Sequence, residues 1–298
     1  MSLWVFAALA ASALQAFRFY LQKRLSAGGA GPVAATFARF VYAPLFLGSG
    51  LLVWWSMDTT TALPALDATF WPWAIVGGIA QIAATILVVA TFSRRNFAVG
   101  IALSKTTVLM TILTGFALLG EVPTLPVIAA ISVGVVGVLA ISIPKGQSFR
   151  AGMTDVAILY GLGSGAFFSV SAVAYRAGSL AVAAEEPILR ASVTLFWVTL
   201  LQTALLAAWL LLRDRGAMVA VFRRWRVTLA IGLTSMGGSL GWFTAYTLEQ
   251  AALVNAVGQV ELILSLAISW LLLSERITWR ELVGTVLIGF SVVVVLLA

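Results

Sequence analysis

The chain contains no cysteine, no histidine and few charged residues. Only 10% of its 298 residues are charged, whereas about 25% are charged in an ordinary soluble domain. Without cysteine there is no disulfide framework, and without histidine the serine-type and metal-type intramembrane proteases lack a side chain that they require. The four aspartates lie at or beyond the ends of apolar runs, so the paired aspartates of the aspartyl type are missing too. We therefore expect neither an enzyme nor a bound metal or cofactor.

Hydrophobic residues are what the chain has in excess. They make up 61% of it and raise the mean hydropathy to +1.05. A water-soluble chain of this length could not bury so much apolar surface, so the surplus is expected to face a lipid bilayer. The net charge of +7 comes from basic residues in short clusters between apolar runs. That pattern is typical of membrane topology signals, so we expect lipid as a partner and no nucleic acid.

The apolar residues fall into ten runs, each close to the length of about 20 residues that crosses a bilayer as a helix. Strand-like alternation is not seen, and in lipid only helices and closed barrels satisfy the backbone. The sequence therefore predicts an all-α membrane protein with ten transmembrane helices. The runs lie near residues 3–22, 32–55, 71–93, 97–119, 125–143, 155–177, 187–212, 226–247, 252–273 and 280–298.

The second half of the chain repeats features of the first at an offset of 154 residues. Residues 121–124 lie over residues 275–278, and Arg39 lies over Arg190 when three residues of slack are allowed before the third run. Each half holds five runs, and because five is odd, the second half enters the membrane inverted. The inverted repeat places a site at the interface of the halves near the midplane. The predicted five-helix repeats are residues 1–147 and 152–298.

These features resemble the EamA-type drug/metabolite transporter superfamily. The similarity rests on the doubled five-helix unit, the Arg early in the second helix, and a Gly-Glu-x-x-Thr or Ser-Glu-x-x-Thr turn between the fourth and fifth helices of the halves. It covers nearly the whole chain, which looks most like the bacterial aromatic amino-acid exporters called YddG. The resemblance implies the drug/metabolite transporter fold, a basket of ten helices. It also implies export of amino acids or similar small metabolites across the inner membrane by alternating access.

The same residues favour other functions less. A multidrug or cation exporter of the superfamily is the second choice, because its small relatives use a carboxylate in the first helix and the run at 3–22 has none. A passive channel usually carries a ring of like charges or a repeated filter sequence, and neither is visible in this chain. The chain has no Walker-type Gly-Lys-Ser/Thr sequence, so no ATPase partner is required. Both halves are present in one chain, so a monomer could suffice.

The distribution of basic residues predicts the orientation, since cytoplasmic loops carry an excess of Lys and Arg. Fourteen of the 18 basic residues are assigned to one set of loops, which places both termini on the periplasmic side. The fourteen are Arg18, Lys23, Arg24, Arg94, Arg95, Lys145, Arg150, Arg213, Arg215, Arg223, Arg224, Arg226, Arg276 and Arg280.

Lys105 and Glu261 are ionisable residues deep within predicted spans. An intramembrane charge costs about 2.5–3.5 kcal/mol on insertion scales, so such residues are functional candidates. Lys105 lies about two turns into the fourth run and Glu261 about two and a half turns into the ninth. Three interpretations stay open. The two residues hold the carboxylate and the ammonium group of a zwitterionic substrate, or they pair with each other as a structural link, or Glu261 carries a proton.

Polar and aromatic residues in the third, fourth, eighth and ninth runs complete the prediction. Trp242 and Tyr246 lie one helical turn apart, so they either stack on a flat apolar substrate or pack against neighbouring helices. Arg39 and Arg190 are expected to brace helix ends, and the glutamates at 121 and 275 to act as caps or turn residues. The predicted substrate-binding residues are Lys105, Glu261, Gln81, Thr85, Ser239, Trp242, Tyr246, Asn255 and Gln259.

Overall fold

The computed structural model describes residues 2–57, 64–94, 97–142, 156–275 and 278–297. The predicted boundary between the two halves, 1–147 and 152–298, falls outside these ranges. So do four of the basic residues used for the orientation, namely Arg95, Lys145, Arg150 and Arg276. For Arg280 only the backbone is described.

Helices dominate the described part of the chain. They are α1 Leu3–Leu25, α2 Gly31–Phe40, α3 Ala43–Met57, α4 Phe70–Thr91, α5 Phe97–Ser104, α6 Thr107–Leu119, α7 Leu125–Ser142, α8 Val156–Leu180, α9 Pro187–Arg213, α10 Arg215–Arg223, α11 Trp225–Leu248, α12 Ala251–Val257, α13 Val260–Leu273 and α14 Trp279–Leu297.

Six segments of the described chain are long and apolar enough to cross a membrane. The first, Leu3–Met57, has 55 residues, more than twice what one crossing needs. Shorter apolar helices occupy α7 and α14, and α11 has the length but is not among the six. The protein is therefore an all-α membrane protein, and the count of ten spans and the inverted repeat stay predictions.

The long first segment turns back at glycines. A π-helical turn, Ser26–Ala30, joins α1 to α2, and Gly29 and Gly31 adopt φ values of 97° and 73°. Such values favour glycine because a Cβ would clash with the backbone. The second predicted run is itself divided into α2 and α3, because Pro44 cannot donate a helical hydrogen bond and its ring displaces the carbonyl four residues earlier, at the last residue of α2.

Two elements between the long helices were not predicted. The stretch between the seventh and eighth runs contains the short helix α10, whose start is capped by a bond from the Ala217 N–H to Asp214 Oδ1 at 2.9 Å. An antiparallel ribbon pairs β1, Ala65–Leu66, with β2, Val182–Ala183. After β1, Asp67 accepts bonds from the N–H and hydroxyl of Thr69, which hold the pKa of its carboxyl below the usual range.

Three helix pairs form the most extensive packing contacts: α4 with α8, α1 with α11, and α7 with α14. Each pairs a helix of the first predicted half with one of the second. Small residues permit the close approach. A Cβ on Gly241 of α11 would lie 2.8 Å from the Ala7 carbonyl of α1, and one on Gly137 of α7 would lie 2.7 Å from the Gly284 carbonyl of α14.

Arg18 was assigned to a loop by the sequence analysis, and the structure shows that this assignment is wrong. It lies inside α1 and is only 1% exposed. The first helix extends to Leu25, so Lys23 and Arg24 occupy its last turn and the apolar run alone underestimated its length. Arg18 therefore says nothing about the side of the membrane on which a loop lies.

Candidate functional site

Two breaks in the helices face each other across the bundle. The fourth predicted span is interrupted at Lys105 and Thr106, between α5 and α6, and the ninth at Gly258 and Gln259, between α12 and α13. At each break the backbone makes tighter turns, such as the bond from Gln259 N to Ala256 O at 3.2 Å. A broken helix frees backbone carbonyls inside the protein, where they can bind polar groups.

Lys105 and Glu261 form an ion pair between these breaks. Lys105 Nζ lies 2.5 Å from Glu261 Oε2, and their side chains are 8% and 0% exposed. The ammonium group also donates at 3.3 Å to the Gly258 carbonyl, which accepts the Glu261 N–H at 3.1 Å as well. The structure therefore shows Lys105 and Glu261 paired with each other.

A chain of hydrogen bonds extends from Glu261 to the indole of Trp242. Gln15 Nε2 donates to Glu261 Oε2 at 2.8 Å, and Trp242 Nε1 donates to Gln15 Oε1 at 3.2 Å. The other carboxylate oxygen, Glu261 Oε1, is buried without a partner among the described residues. One acceptor on the carboxylate is thus free for a donor that the described residues do not supply.

Aromatic rings line the space beside the ion pair. Trp242 and Tyr246 stack with their centroids 6.0 Å apart and their planes inclined by 19°, and Tyr175 stacks on Phe243 at 4.2 Å. The Tyr246 hydroxyl donates to Asn255 Oδ1 at 2.7 Å. Stacked rings held by a hydrogen bond form a flat apolar wall with a fixed orientation.

Gln81 belongs to a second polar network, which is formed by side chains of α4, α8 and α9. The Tyr175 hydroxyl lies 2.9 Å from Gln81 Oε1 and from the Gly77 carbonyl, and Gln202 Nε2 donates to Gln81 Oε1 at 3.0 Å. Because the amide oxygen is occupied, the amide nitrogen of Gln81 is the group left to bind a ligand.

A small cavity collects these side chains. It offers about 50 Å³ to water, and because one water needs roughly 10–15 Å³ of such volume, it holds only a few molecules. Six predicted residues line it, namely Gln81, Lys105, Trp242, Tyr246, Asn255 and Glu261. Further lining residues include Gln15, Phe19, Phe168, Ser171, Tyr175 and Phe243.

Three predicted residues do not line the cavity. Thr85 accepts a bond from Arg39 Nη1 at 2.6 Å and donates to the Gln81 carbonyl. Ser239 is buried elsewhere in α11. Gln259 lies against Gly134 of α7, where both of its amide atoms are buried without a partner among the described residues. Thr85 and Ser239 lie within the unbroken helices α4 and α11, whereas Gln259 lies at the break between α12 and α13.

The residues that sequence reasoning missed come mainly from α1 and α8. Gln15 carried a signal, because it is an amide within an apolar run and could line a cavity, but it was not among the predicted substrate-binding residues. Tyr175, Phe19 and Phe168 carried none, because aromatic residues are common throughout the chain. Their role depends on the packing of α1 and α8 against α11 and α4.

Ion pairs join distant parts of the chain at two places away from the cavity, and we call them the Lys23–Glu275 latch and the Arg176–Glu121 latch. Lys23 Nζ lies 2.7 Å from Glu275 Oε1, and Glu275 also accepts bonds from the Phe97 N–H and the Ser269 hydroxyl. Arg176 Nε lies 2.5 Å from Glu121 Oε1. The two glutamates were predicted as caps or turn residues, and each in addition joins distant helices.

Arg176 also holds the end of α11. Its Nη1 donates to the carbonyls of Tyr246 and Glu249, both at 2.7 Å. A cation at a helix C-terminus satisfies carbonyls that lack an intrahelical partner and opposes the negative end of the helix dipole. The Arg176–Glu121 latch is therefore connected directly to the helix that carries Trp242 and Tyr246.

Arg39 and Arg190 occupy different environments, although the repeat equates them. Arg190 is half-buried at the start of α9 and donates to the Ala184 carbonyl, in agreement with a brace at a helix end. Arg39 is only 1% exposed, and its Nε donates to Ser235 Oγ at 3.1 Å. Arg39 therefore lies buried in the last turn of α2 and joins it to α11 and, through Thr85, to α4. Its role as a brace of a helix end stays a prediction.

Gly258 is needed because the Trp242 ring packs directly onto its backbone. A Gly258→Ala substitution places a methyl group inside that ring, and overpacking of this kind costs about 1–3 kcal/mol. We expect a lower Tm for thermal unfolding in detergent. The control is Gly289→Ala in α14, where a Cβ meets no atom within 4 Å and alanine favours the helix. Equal Tm values for both variants would contradict the packing argument.

The comparisons with known proteins bear on the second half and on the fold. Residues 155–297 match the model of the EamA-like transporter family. A solved structure described only as "Crystal structure of protein" aligns over 98% of this chain and 96% of its own, with a TM-score of 0.65 and 17% identity, which shows a shared fold alone. No curated protein matches the chain. The chain is thus a multi-pass membrane protein with an EamA-like transporter domain at residues 155–297, which points to a transporter of small molecules rather than to an enzyme.

Proposed function

We propose that this protein is a secondary transporter that exports neutral amino acids, aromatic ones foremost, across the inner membrane by alternating access. The observation that carries the proposal is the buried Lys105–Glu261 ion pair beside a wall of stacked aromatic rings. This substrate class favours the YddG-like subgroup of the EamA family as the group to which the protein is related.

Binding proceeds by exchange of ionic partners. The carboxylate of a zwitterionic amino acid replaces Glu261 at the ammonium group of Lys105, and the ammonium group of the substrate replaces Lys105 at Glu261. The number of buried ion pairs rises from one to two without a change of net charge, so the exchange avoids the cost of burying an unpaired charge. A substrate with only one of the two charges leaves either Lys105 or Glu261 uncompensated and is rejected.

The side chain of the substrate is expected to lie on the aromatic wall. Trp242 and Tyr246 present a flat surface next to the ion pair, and offset stacking of a third ring contributes about 0.5–1.5 kcal/mol beyond the burial of area. The cavity of about 50 Å³ is too small for any amino acid, because typical ligand pockets have about 300–1,000 Å³. The wall must therefore move apart to admit the substrate.

The inverted arrangement of ten spans gives that motion a direction. We infer that the latches close opposite ends of the bundle, because Glu121 and Glu275 are repeat equivalents and an inverted repeat places equivalent turns on opposite faces. The bias of Lys and Arg assigns the Lys23–Glu275 latch to the cytoplasmic side and both termini to the periplasm. Each latch joins a residue of the first predicted half, Lys23 or Glu121, to one of the second, Glu275 or Arg176.

A cation exporter of the same superfamily is the second candidate. The unpartnered Glu261 Oε1 and the aromatic wall favour it, because rings and a carboxylate together bind organic cations. Lys105 opposes it, since its ammonium group occupies the same carboxylate and repels a cation.

The deciding experiment compares three labelled compounds in liposomes that contain the purified protein. Phenylalanine carries both charges, 2-phenylethylamine only the ammonium group, and 3-phenylpropionate only the carboxylate. We expect saturable uptake of phenylalanine alone, measured with and without an imposed proton gradient and against empty liposomes. Uptake of 2-phenylethylamine without phenylalanine supports the cation exporter, and no saturable uptake of any neutral amino acid overturns the proposal.

A further inference from the structure

The interior of the described chain holds more positive than negative charge. Its buried charged side chains are Arg18, Arg39, Lys105 and Glu261. Lys105 and Glu261 neutralise each other, so the two arginines remain as positive charges in excess. A buried ion without an ion-pair partner is costly because it has lost its hydration, and no carboxylate among the described residues forms an ion pair with either arginine.

Among the described residues, the hydrogen-bond and ring partners of the two guanidinium groups are all neutral. Arg18 Nη1 donates to Gln22 Oε1 at 2.8 Å, and its side chain lies over the ring of Phe19, with Cζ 4.1 Å from the centroid. Arg39 donates to the hydroxyls of Ser235 and Thr85. Neither arginine takes part in an ion pair within the described ranges, and Arg18 Nη2 is buried there without any partner.

The backbone register places the two arginines side by side. Gln22 Nε2 on α1 donates to the Ala35 carbonyl on α2 at 2.8 Å, and α2 runs back along α1 after the glycine turn. Arg18 lies one turn before Gln22, and Arg39 lies one turn after Ala35, so both are displaced in the same direction from that contact. The two charges repel each other, while Glu261 attracts both from beyond ion-pair distance.

This cluster adjoins the central cavity. Phe19 both lines the cavity and carries the Arg18 guanidinium on its ring. Thr85, which binds Arg39, donates to the carbonyl of the lining residue Gln81. The cluster lies toward the end of the bundle where α1 finishes and α2 begins, which the predicted orientation assigns to the cytoplasm.

The geometry points to a second, anion-binding site formed by Arg18 and Arg39 between the cavity and the Lys23–Glu275 latch. A planar guanidinium group with a free Nη2 suits a carboxylate, which it can bind through two parallel hydrogen bonds. A carboxylate-bearing substrate that enters from the cytoplasm meets this site before it reaches Lys105. That role as a first docking point rests on the proposed function, whereas the anion site itself does not.

The test measures binding without transport. The Tm of the purified protein in detergent is followed against sodium acetate, which has a carboxylate and no ammonium group, and against sodium chloride, with ionic strength held by a bulky sulfonate buffer salt. A ligand at ten times its Kd is expected to raise the Tm by about 3 °C. The rise should vanish in Arg18→Gln and persist in the control Arg190→Gln, because Arg190 lies at the start of α9.

The pattern of responses identifies the occupant. A rise with acetate but not with chloride supports a site for the substrate's carboxylate, and a rise with both supports a site for small anions in general. A rise with neither, or an equal rise in Arg18→Gln, overturns the inference. Arg18→Lys covers the case in which Arg18→Gln fails to fold, since it keeps the charge and removes the planar fork. It should weaken the response to acetate more than the response to chloride.

Failure of the anion site and failure of the proposed function are distinguishable. Saturable uptake of phenylalanine without any response to acetate removes the second site and leaves the transporter proposal intact. A response to acetate that depends on Arg18, without uptake of any amino acid, leaves the site intact and removes its role as a docking point.

Discussion

Liposomes that contain the Glu261→Gln variant are expected to take up phenylalanine about 10 to 100 times more slowly than those with the wild-type protein. The glutamine keeps the shape and the hydrogen bond from Gln15 but loses the charge that receives the substrate's ammonium group. A hydrogen bond to a charged group contributes about 1.5–3 kcal/mol, which corresponds to this range of rates. Initial uptake rates of labelled phenylalanine measure the effect.

The matched control for that substitution is Glu249→Gln. Glu249 follows α11, and its carboxylate bonds only to the neighbouring Gln250 N–H among the described residues. It is the same chemical change outside the cavity, and it leaves in place the backbone carbonyl of Glu249 that accepts from Arg176, so uptake should stay within about twofold of wild type.

A double variant separates a functional ion pair from a structural one. Loss of one partner of a buried pair costs about 3–5 kcal/mol of stability, whereas replacement of both by apolar residues of similar volume is often neutral. Lys105→Met combined with Glu261→Leu should therefore recover the Tm of wild type and still fail to transport. Uptake at the wild-type rate by the double variant would assign the pair to structure alone.

Opening of the bundle at one end is the second large effect that we expect. Glu275→Gln removes the charge from the Lys23–Glu275 latch, and Glu121→Gln does the same for the Arg176–Glu121 latch. Each pair is partly buried, so its loss shifts the balance between closed and open states by about 1.4 kcal/mol or more, or about tenfold in population. The shift should favour access from the side of the broken latch.

Labelling of a single introduced cysteine measures that access. The chain has no native cysteine, so Ser171→Cys provides the only thiol, and Ser171 lines the cavity. With Glu275→Gln we expect about tenfold faster labelling by a membrane-impermeant thiol reagent in inverted vesicles, and with Glu121→Gln in intact cells. The unmodified latches with Ser171→Cys are the control. Unchanged labelling from both sides in both variants would contradict the role of the latches.

Much of the architecture follows from properties that are local in the sequence. The excess of apolar residues and the spacing of Gly, Pro and charge located helices along the described chain, because each helix satisfies its own backbone in lipid and needs no distant partner. The cost of a charge in lipid is local too, so Lys105 and Glu261 stood out before any contact was known.

The contacts of the site were decided by the tertiary structure. That Lys105 pairs with Glu261, that Gln15 and Tyr175 line the cavity, and that Gln259 does not, depends on where two helices break. Arg18 shows the limit most clearly: it was counted with the loop cations although it lies near the end of the first apolar run, and in the fold it lies fully buried beside α2. A sequence pattern indicates which residues are costly to bury, but only the packing of distant helices determines which groups each of those residues contacts. The physical reason is that side-chain direction changes by about 100° per residue, so a break displaced by one residue redirects every group beyond it.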